Sequence, residues 1–219
     1  MKKIAVITVS IFALLLALSG CKHIGSGVKG SGARKTEKRD LKSFKSIDTE
    51  GAYEIDVTCQ KPASFEIEGD DNILPLIKTE VRDGVLYVTS DRNYNSSQMV
   101  SLRIALPDLE RVTTRGASKA HITDVKTESL TLNSKGAAKV DAAGQVKLVK
   151  IQSEGAGKID AGNLHAEKAK VTASGAASVD VYASEQLDVD LSGAGRVVYS
   201  GNPKTVNKNV SGIGIVTPK

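Results

Sequence analysis

Apolar and polar residues alternate along most of the chain after residue 40, and the dipeptide Gly-Ala interrupts this alternation at regular intervals. The repeated dipeptide begins at Gly116, Gly136, Gly155, Gly175 and Gly193, in steps of 20, 19, 20 and 18 residues. An earlier copy begins at Gly51, and a degenerate one begins at Gly212. The chain is therefore built from a short repeated unit.

Apolar residues recur at fixed distances from each repeat glycine. Four residues after the glycine stand Ala120, Val140, Ile159, Val179 and Val197, and six after it Ile122, Ala142, Ala161, Val181 and Tyr199. Four residues before it stand Val112, Leu132, Ile151, Val171 and Val189. A period of two predicts half-buried strands. Each unit is thus a strand, a Gly-Ala corner, a second strand and a turn, with the alanine expected inside the corner.

Stacking such units places each strand in parallel register about 4.8 Å from its neighbour. The pattern predicts an all-β fold, a parallel β-helix or β-solenoid with repeats of 18–20 residues. Units of this length are too short for two helices, and their glycines would break helices. The Leu and Asn ladders of leucine-rich repeats are absent from the units.

The part of the chain before the repeats predicts a wider β-rich region of the same fold. Strands are expected at 44–47, 53–59, 64–68, 84–89 and 101–106, with a turn and a strand within 73–81. A polar loop is expected at 91–98. Because no interior linker separates these parts, residues 41–219 are predicted to form a single domain.

The N-terminus has the pattern of an export signal. Lys2 and Lys3 precede an apolar run from residue 4 to residue 18, which is shorter than the roughly 20 residues of a membrane-spanning helix. Small residues up to Gly20 are followed by Cys21, and this arrangement resembles the lipobox of bacterial lipoproteins. The resemblance implies cleavage between Gly20 and Cys21 and acylation of Cys21, so that residues 1–20 are a signal peptide and a lipid holds the chain at a membrane. An ordinary secretory signal with a chance cysteine is the alternative.

Residues 21–40 are predicted to be the lipidated cysteine and a flexible basic tether. Residues 22–40 contain six Lys or Arg and two Asp or Glu, together with many Gly and Ser. The formal charge of +5 is therefore concentrated near the N-terminus, and the remainder is nearly neutral. Nucleic acid is not an expected partner of such a domain. Cys59 is left without a disulfide partner and is expected to be a buried thiol.

Two charged columns follow the repeat on the outward face of the predicted strands. A basic column runs through Lys119, Lys139, Lys158, Ser178 and Arg196, and a mainly acidic one through His121, Asp141, Asp160, Asp180 and Val198. A row of carboxylates could chelate Ca²⁺, but the neighbouring lysines already balance it, so a solvated face is favoured over a metal site. His121, Asp141, Asp160 and Asp180, with Tyr94 in its polar loop, are weak candidates for a ligand surface.

The residue inventory offers little for catalysis. His23, His121 and His165 are the only histidines, and no phosphate loop, zinc spacing or nucleophile elbow occurs. No cofactor and no metal are predicted. A polysaccharide-cleaving β-helix remains the enzymatic alternative, although the carboxylates form a regular ladder instead of a cluster.

Four further segments stand out along the chain: Phe44–Ile47 with Gly51–Ile55, Glu68–Leu74 with Gly84–Val88, Leu106–Leu109, and Ser192–Pro203. Together these segments resemble the head GIN domain family of auto-transporter adhesin-like proteins. In this order they span about residues 40–216. The resemblance implies a right-handed β-helix-like fold in secreted or envelope-anchored bacterial proteins, without an established ligand or reaction.

These observations favour a non-enzymatic, lipid-anchored envelope protein whose solenoid presents a binding surface to a glycan or protein ligand. The alternatives are a carbohydrate-active β-helix enzyme and a structural or stress-related envelope component. Lys22 follows Cys21, and by resemblance to the usual sorting pattern this implies the outer membrane in an organism with two membranes. The face of that membrane is left open.

Overall fold

The computed structural model describes residues 27–219, and this part of the chain consists of β-strands with one short 3₁₀ helix. It forms a β-solenoid of about five turns. The predicted all-β solenoid is therefore confirmed. Cys21, Gly20, the predicted signal peptide and His23 lie outside the described residues.

Nine strands and the 3₁₀ helix precede the repeats. They are β1 (Val28–Lys29), β2 (Arg34–Lys38), β3 (Ser46–Gly51), β4 (Tyr53–Cys59), β5 (Ser64–Asp70), the helix Leu74–Leu76, β6 (Ile77–Arg82), β7 (Val85–Ser90), β8 (Tyr94–Asn95) and β9 (Val100–Leu106).

Nine further strands build the repeated part. They are β10 (Arg111–Gly116), β11 (Lys119–Gly136), β12 (Lys139–Gly155), β13 (Lys158–Gly175), β14 (Ser178–Tyr182), β15 (Gln186–Gly193), β16 (Arg196–Ser200), β17 (Thr205–Gly212) and β18 (Ile215–Pro218).

Each turn of the solenoid has three faces. The first face ends at the repeat glycine, as in residues 129–136 of β11, and the second follows the corner, as in residues 119–122. A short third face, which comprises 125–127, 144–146 and 164–166, joins the second face to the next turn. The sequence predicted two strands and a turn, so the third face is an addition to the predicted unit.

The repeat glycines stack directly on one another along one corner. Gly51, Gly116, Gly136, Gly155, Gly175, Gly193 and Gly212 are paired in parallel register. At Gly136 φ is +117°, and a Cβ there would lie 2.7 Å from the Gly116 carbonyl oxygen. The next residue, Ala137, donates its N–H to that same oxygen at 2.9 Å. The corner thus requires glycine both for its backbone conformation and for the close approach of the layers.

The alanines of the Gly-Ala pairs point outward, which corrects the expectation that they fill the corner. Ala117, Ala137, Ala156, Ala176 and Ala194 are all exposed. The residue after each alanine is buried instead, because side chains alternate across the strand that begins there.

Two interior columns line this corner. Two residues before the repeat glycine the column runs through Thr49, Thr114, Ser134, Ser153, Ala173 and Leu191. Two residues after it the column runs through Tyr53, Ser118, Ala138, Gly157, Ala177 and Gly195. Where the first column enlarges to Leu191, the second shrinks to Gly195, at which a Cβ would lie 2.9 Å from the Leu191 Cδ1. In this turn the glycine leaves room for the leucine, which keeps the interior densely packed.

Antiparallel strands close the N-terminal end of the stack. On the first face β7 pairs parallel with β3 and antiparallel with β6. On the second face β9 pairs parallel with β4 and antiparallel with β5, and β2 covers the outer edge of β5. The predicted flexible tether is therefore wrong for residues 28–29 and 34–38, which lie in β1 and β2. Charged residues such as Arg34 and Lys38 suit an edge strand as well as they suit a tether.

The C-terminal end of the stack is formed by β17 and β18, each paired on one side only. Ile213 and Ile215 are 84% and 60% exposed there. Lys208 pairs with buried Val189 and therefore stands in a core column. Its Nζ lies 4.9 Å from the Tyr199 ring centroid and donates to the Val216 carbonyl oxygen at 3.3 Å. The last turn thus ends the apolar interior with an ammonium group. Among residues 27–219 there is no helix with the length and apolar character that crossing a bilayer requires.

Candidate functional site

The charged columns predicted from the repeat stack on the second face in the expected register. His121 is paired with Asp141, Asp141 with Asp160, and Asp160 with Asp180. Lys119, Lys139 and Lys158 form the adjacent row. Parallel stacking of equivalent strands brings these four candidate residues into one line.

Lysines pair with two of the three carboxylates of this line, Asp141 and Asp180. Lys139 Nζ lies 3.0 Å from Asp141 Oδ2, and Lys158 Nζ lies 3.9 Å from Asp180 Oδ2. Within residues 27–219, no three His, Cys, Asp or Glu side chains are arranged to hold a metal ion. Exposed pairs of this kind contribute little to stability, so the face is a solvated, charge-balanced surface. Its role in ligand binding stays a prediction.

Tyr94 lies at the N-terminal end of the solenoid, away from this line. Its residue is half-buried, and its hydroxyl is buried beside that of Tyr53. Burial raises the pKa of the Tyr94 phenol, and the pKa of Tyr53 is raised far above its ordinary value for the same reason. Neither hydroxyl has a hydrogen-bond partner of good geometry. Tyr94 therefore packs partly against the hydrophobic core, and its role in ligand binding stays a prediction.

The third face carries a column of exposed polar side chains. Lys126, Gln145 and His165 are paired in register and point outward, and we call this column the polar ridge. The residues on either side of His165 in β13, Leu164 and Ala166, point inward and are buried. At Asp124 φ is +58°, and the bend there starts the third face of β11.

A cleft of about 690 Å³ follows one side of the polar ridge. Its other lining residues are Asp108, Thr127, Glu128, Val146, Lys147, Ala166, Glu167, Tyr182 and Ser184. The rings of His165 and Tyr182 meet edge to face, with centroids 4.6 Å apart. This pair forms an aromatic wall at one end of the cleft, and it combines an apolar ring surface with two polar tips.

Ion pairs fix the charges in this cleft. Lys147 Nζ lies 2.8 Å from Glu128 Oε2, and the hydrogen bond to Glu128 raises the pKa of Lys147, with a further contribution from Glu167. Lys45 Nζ donates to Asp108 Oδ2 at 2.9 Å and lowers the pKa of that carboxyl, outweighing the effect of burial. Asp108 is therefore ionised at neutral pH and is unsuited to donate a proton.

A second, shallow cleft of about 580 Å³ follows the other side of the polar ridge. Exposed amides and charges line it, among them Gln60, Lys61, Asp124 and Asn163. The Gln60 side-chain N–H donates to the Pro107 carbonyl oxygen at 3.0 Å. Cys59 lies at its floor, only 1% exposed, and burial raises the pKa of its thiol to about 11. The expected buried thiol is thus present in this part of the chain.

The third face escaped the sequence pattern because the register shifts there. Pairing slips between Ile122 and Val125 and again between Asp141 and Ala143, so distances counted forward from the repeat glycine differ by one residue from turn to turn. Counted backward from the next glycine they agree. Positions 126, 145 and 165 each stand ten residues before glycines 136, 155 and 175. Backward counting is the signal that would have found the polar ridge.

Solved structures from other bacteria share this fold. One from Bacteroides fragilis, described as "a putative adhesin", is 24% identical with a TM-score of 0.73, and the match covers 88% of this chain and 100% of that one. A "putative lipid binding protein" from Parabacteroides distasonis is 17% identical with a TM-score of 0.55, covering 88% and 99%. A "putative adhesin" from the same species is 20% identical with a TM-score of 0.51, covering 88% and 100%.

The sequence gives no match among curated proteins. A family model described as "putative auto-transporter adhesin, head GIN domain" matches residues 43–203, which include β3 to β16 and the whole polar ridge. The match covers most of the chain, and the solenoid agrees with the fold of the similar structures. The chain therefore belongs to the head GIN domain family.

Proposed function

We propose that this protein is a non-enzymatic, adhesin-like protein of the cell envelope that binds a glycan in the cleft beside the polar ridge. The observation that supports this most directly is the combination of the His165–Tyr182 pair with amide, carboxylate and ammonium groups along one open cleft. Membership of an adhesin-like family agrees with a binding role at the cell surface.

The chemistry of the cleft favours a neutral, hydroxyl-rich ligand. Its carboxylates, Asp108, Glu128 and Glu167, face Lys126 and Lys147, so neither sign dominates. A polyanion such as nucleic acid would require a strong basic excess. Gln145 can donate and accept at once, as sugar hydroxyls do, and the Tyr182 ring offers a flat apolar surface.

The shape of the cleft favours an extended ligand. It follows the stacked third faces of three turns, and successive turns are about 4.8 Å apart. An open groove of this kind offers a chain of sugars contacts at regular intervals, whereas a small molecule would be poorly enclosed.

The same geometry disfavours a glycosidase in this cleft. A glycosidase needs a carboxyl group whose raised pKa keeps it protonated, opposite a second carboxylate. The pKa of Asp108 is lowered by Lys45, and Glu128 is paired with Lys147. These two carboxylates are therefore unsuited to act as the acid of glycoside hydrolysis, which supports a binding role.

Membrane attachment belongs to the proposal as well. It is supported by the resemblance of the Cys21 region to a lipobox, with Lys2 and Lys3 ahead of an apolar run. In wild-type cells the protein should incorporate labelled lipid, and a Cys21→Ser variant should lose the label. Membrane attachment that is unchanged in the variant would contradict the anchor.

The binding proposal is tested with the soluble domain, residues 27–219, on an array of bacterial and host glycans followed by calorimetry. Tyr182→Ala and His165→Ala should each weaken binding of the selected glycan by at least about tenfold, the effect of losing roughly 1.4 kcal/mol. Tyr87→Ala is the matched control, because Tyr87 lies on the β6–β7 hairpin beside Arg82. Thermal unfolding of each variant checks that the fold is retained.

Three outcomes would overturn parts of this proposal. Release of reducing ends from the bound glycan would make the protein an enzyme. Equal binding by Tyr182→Ala and wild type would remove the cleft as the site. Binding of a purified protein, with no glycan bound, would mean that the ligand is a protein instead of a glycan.

A further inference from the structure

The first described residues form the outermost layer at the N-terminal end of the solenoid. β1 pairs parallel with β8, Val28 opposite Tyr94 and Lys29 opposite Asn95. Val28 N–H donates to the Asn93 carbonyl oxygen at 2.9 Å, and Gly30 N–H donates to that of Asn95 at 2.8 Å. The chain is therefore part of the fold from about residue 27 onward.

Side chains of the loop after β5 hold the next residues. Asn72 Nδ2 donates to the Lys29 carbonyl oxygen at 2.8 Å, and Ser31 N–H donates to Asn72 Oδ1 at 2.9 Å. Ser31 Oγ donates to Asp71 Oδ1, and Asp71 N–H donates to the Ala33 carbonyl oxygen at 2.9 Å. We call Asp71 and Asn72, with residues 29–33, the N-terminal clasp.

Close packing at two glycines fixes this segment further. A Cβ at Gly27 would lie 3.1 Å from the Asn93 carbonyl carbon, and one at Gly30 would collide with the Asp70 carboxylate. Asp70 is 2% exposed and accepts a hydrogen bond from Ser96 Oγ at 2.9 Å. The clasp therefore joins the segment to the loops at both 70–72 and 93–96.

This arrangement shortens the connection to the proposed lipid. Six residue steps separate Cys21 from Gly27, and at most they span about 20 Å. A tether that ended at Asp40 would have reached up to roughly 65 Å when extended. The solenoid continues away from the clasp, since six parallel steps of about 4.8 Å lead from Gly51 to Gly212.

We infer that the N-terminal end of the solenoid, formed by the clasp and residues 91–98, faces the lipid headgroups of the membrane at close range. This inference rests on the proposed anchor at Cys21. The end is polar and charge-balanced, with exposed Lys29 and Arg92 beside exposed Asp71 and Asp91, which suits a hydrated headgroup layer. The C-terminal turn is farthest from the membrane, and the cleft opens from the side of the stack.

The test uses the lipidated full-length protein in vesicles with one added cysteine at either end. Ser97→Cys marks the N-terminal end and Ser211→Cys the C-terminal end; both serines are exposed, whereas Cys59 is buried. A polyethylene-glycol maleimide should react several-fold more slowly at position 97 than at position 211 on vesicles. Without the lipid, in the Cys21→Ser background, the two positions should react at similar rates.

A spacer provides the second arm. About twenty Gly and Ser residues inserted between Ser26 and Gly27 should restore the reaction at position 97 on vesicles, because the domain then moves away from the bilayer. Equal rates at both positions in protein that contains lipid would overturn the orientation alone. Absence of lipid from the wild type, measured on the same samples, would instead overturn the anchor.

Discussion

Gly136 illustrates why glycine, and not alanine, forms the corner of every turn. Its φ of +117° is costly for other residues, and a Cβ would meet the carbonyl oxygen of the layer below. We expect Gly136→Ala to lower the free energy of unfolding by at least about 2 kcal/mol, as measured by urea denaturation. Gly162→Ala is the control, since the nearest atom to a Cβ there is 3.4 Å away. Similar losses in both variants would contradict this account of the corner.

The buried thiol of Cys59 makes the free energy of unfolding depend on pH in the alkaline range. Burial is the largest cause that raises its pKa, from 9.0 to about 11, so the unfolded chain ionises before the folded one. The contribution of the thiol to the free energy of unfolding is complete below its pKa in the unfolded chain. It is lost as the pH rises through its pKa in the folded protein. Between pH 9 and 11, urea denaturation of the wild type should therefore show a steeper fall in stability than that of Cys59→Ala. Tyr53 adds a fall of the same sign to both proteins, and parallel curves would contradict the role of the thiol.

At the scale of elements, β2 protects the outer edge of β5. Five residue pairs join the two strands, and Glu68 of β5 contacts both Arg34 and Arg103. An unprotected edge strand can pair with another chain. A domain that begins at Asp40 should therefore melt at a lower temperature than one that begins at Gly27, and it should self-associate in sedimentation experiments.

A variant within β2 separates backbone pairing from charge. Lys38→Ala removes an exposed ion pair with Glu66 but leaves the strand in place, so it should change the melting temperature little. If Lys38→Ala destabilised the domain as much as the truncation does, pairing of β2 would not be the stabilising contribution.

The elements that sequence predicts best are those with uninterrupted alternation. β4 has the predicted bounds, and the apolar columns around the repeat glycines are buried except for the partly buried Tyr199, because a period of two leaves one arrangement for each strand. The N-terminal segment was missed because a charged edge strand and a solvated tether have similar compositions. The polar ridge was missed because the pairing shift before Val125 breaks the count from the glycine. Tyr182 was visible only as an isolated tyrosine, since its proximity to His165 depends on the width of the turn.

At the scale of the whole molecule, Lys208 opposes the pairing of a further chain with the C-terminal end of the stack. It occupies a core column at the open end and covers Tyr199. Inward-pointing charges at sheet edges oppose further pairing. Lys208→Val should therefore extend the apolar surface of Ile213 and Ile215 and cause concentration-dependent association, as measured by light scattering.

Lys204→Val is the matched control for this effect. Lys204 is also exposed, and its replacement removes the same charge. It precedes β17 and stands outside the core column. Equal association of both variants would attribute the effect to net charge, and no association of Lys208→Val would contradict the role of the inward ammonium group.

The paired columns at the glycine corner also restrict how such a protein can lengthen or shorten during evolution. Turns that look interchangeable in sequence differ inside, because Ser153 stands with Gly157 whereas Leu191 stands with Gly195. Loss of residues 176–193 would bring Ala173 beside Gly195 and leave an unfilled space in the corner, at a cost that grows with the volume of the void. Duplication of the turn that contains Leu191 would likewise require a glycine opposite each copy of the leucine, because a Cβ at Gly195 would lie 2.9 Å from the Leu191 Cδ1.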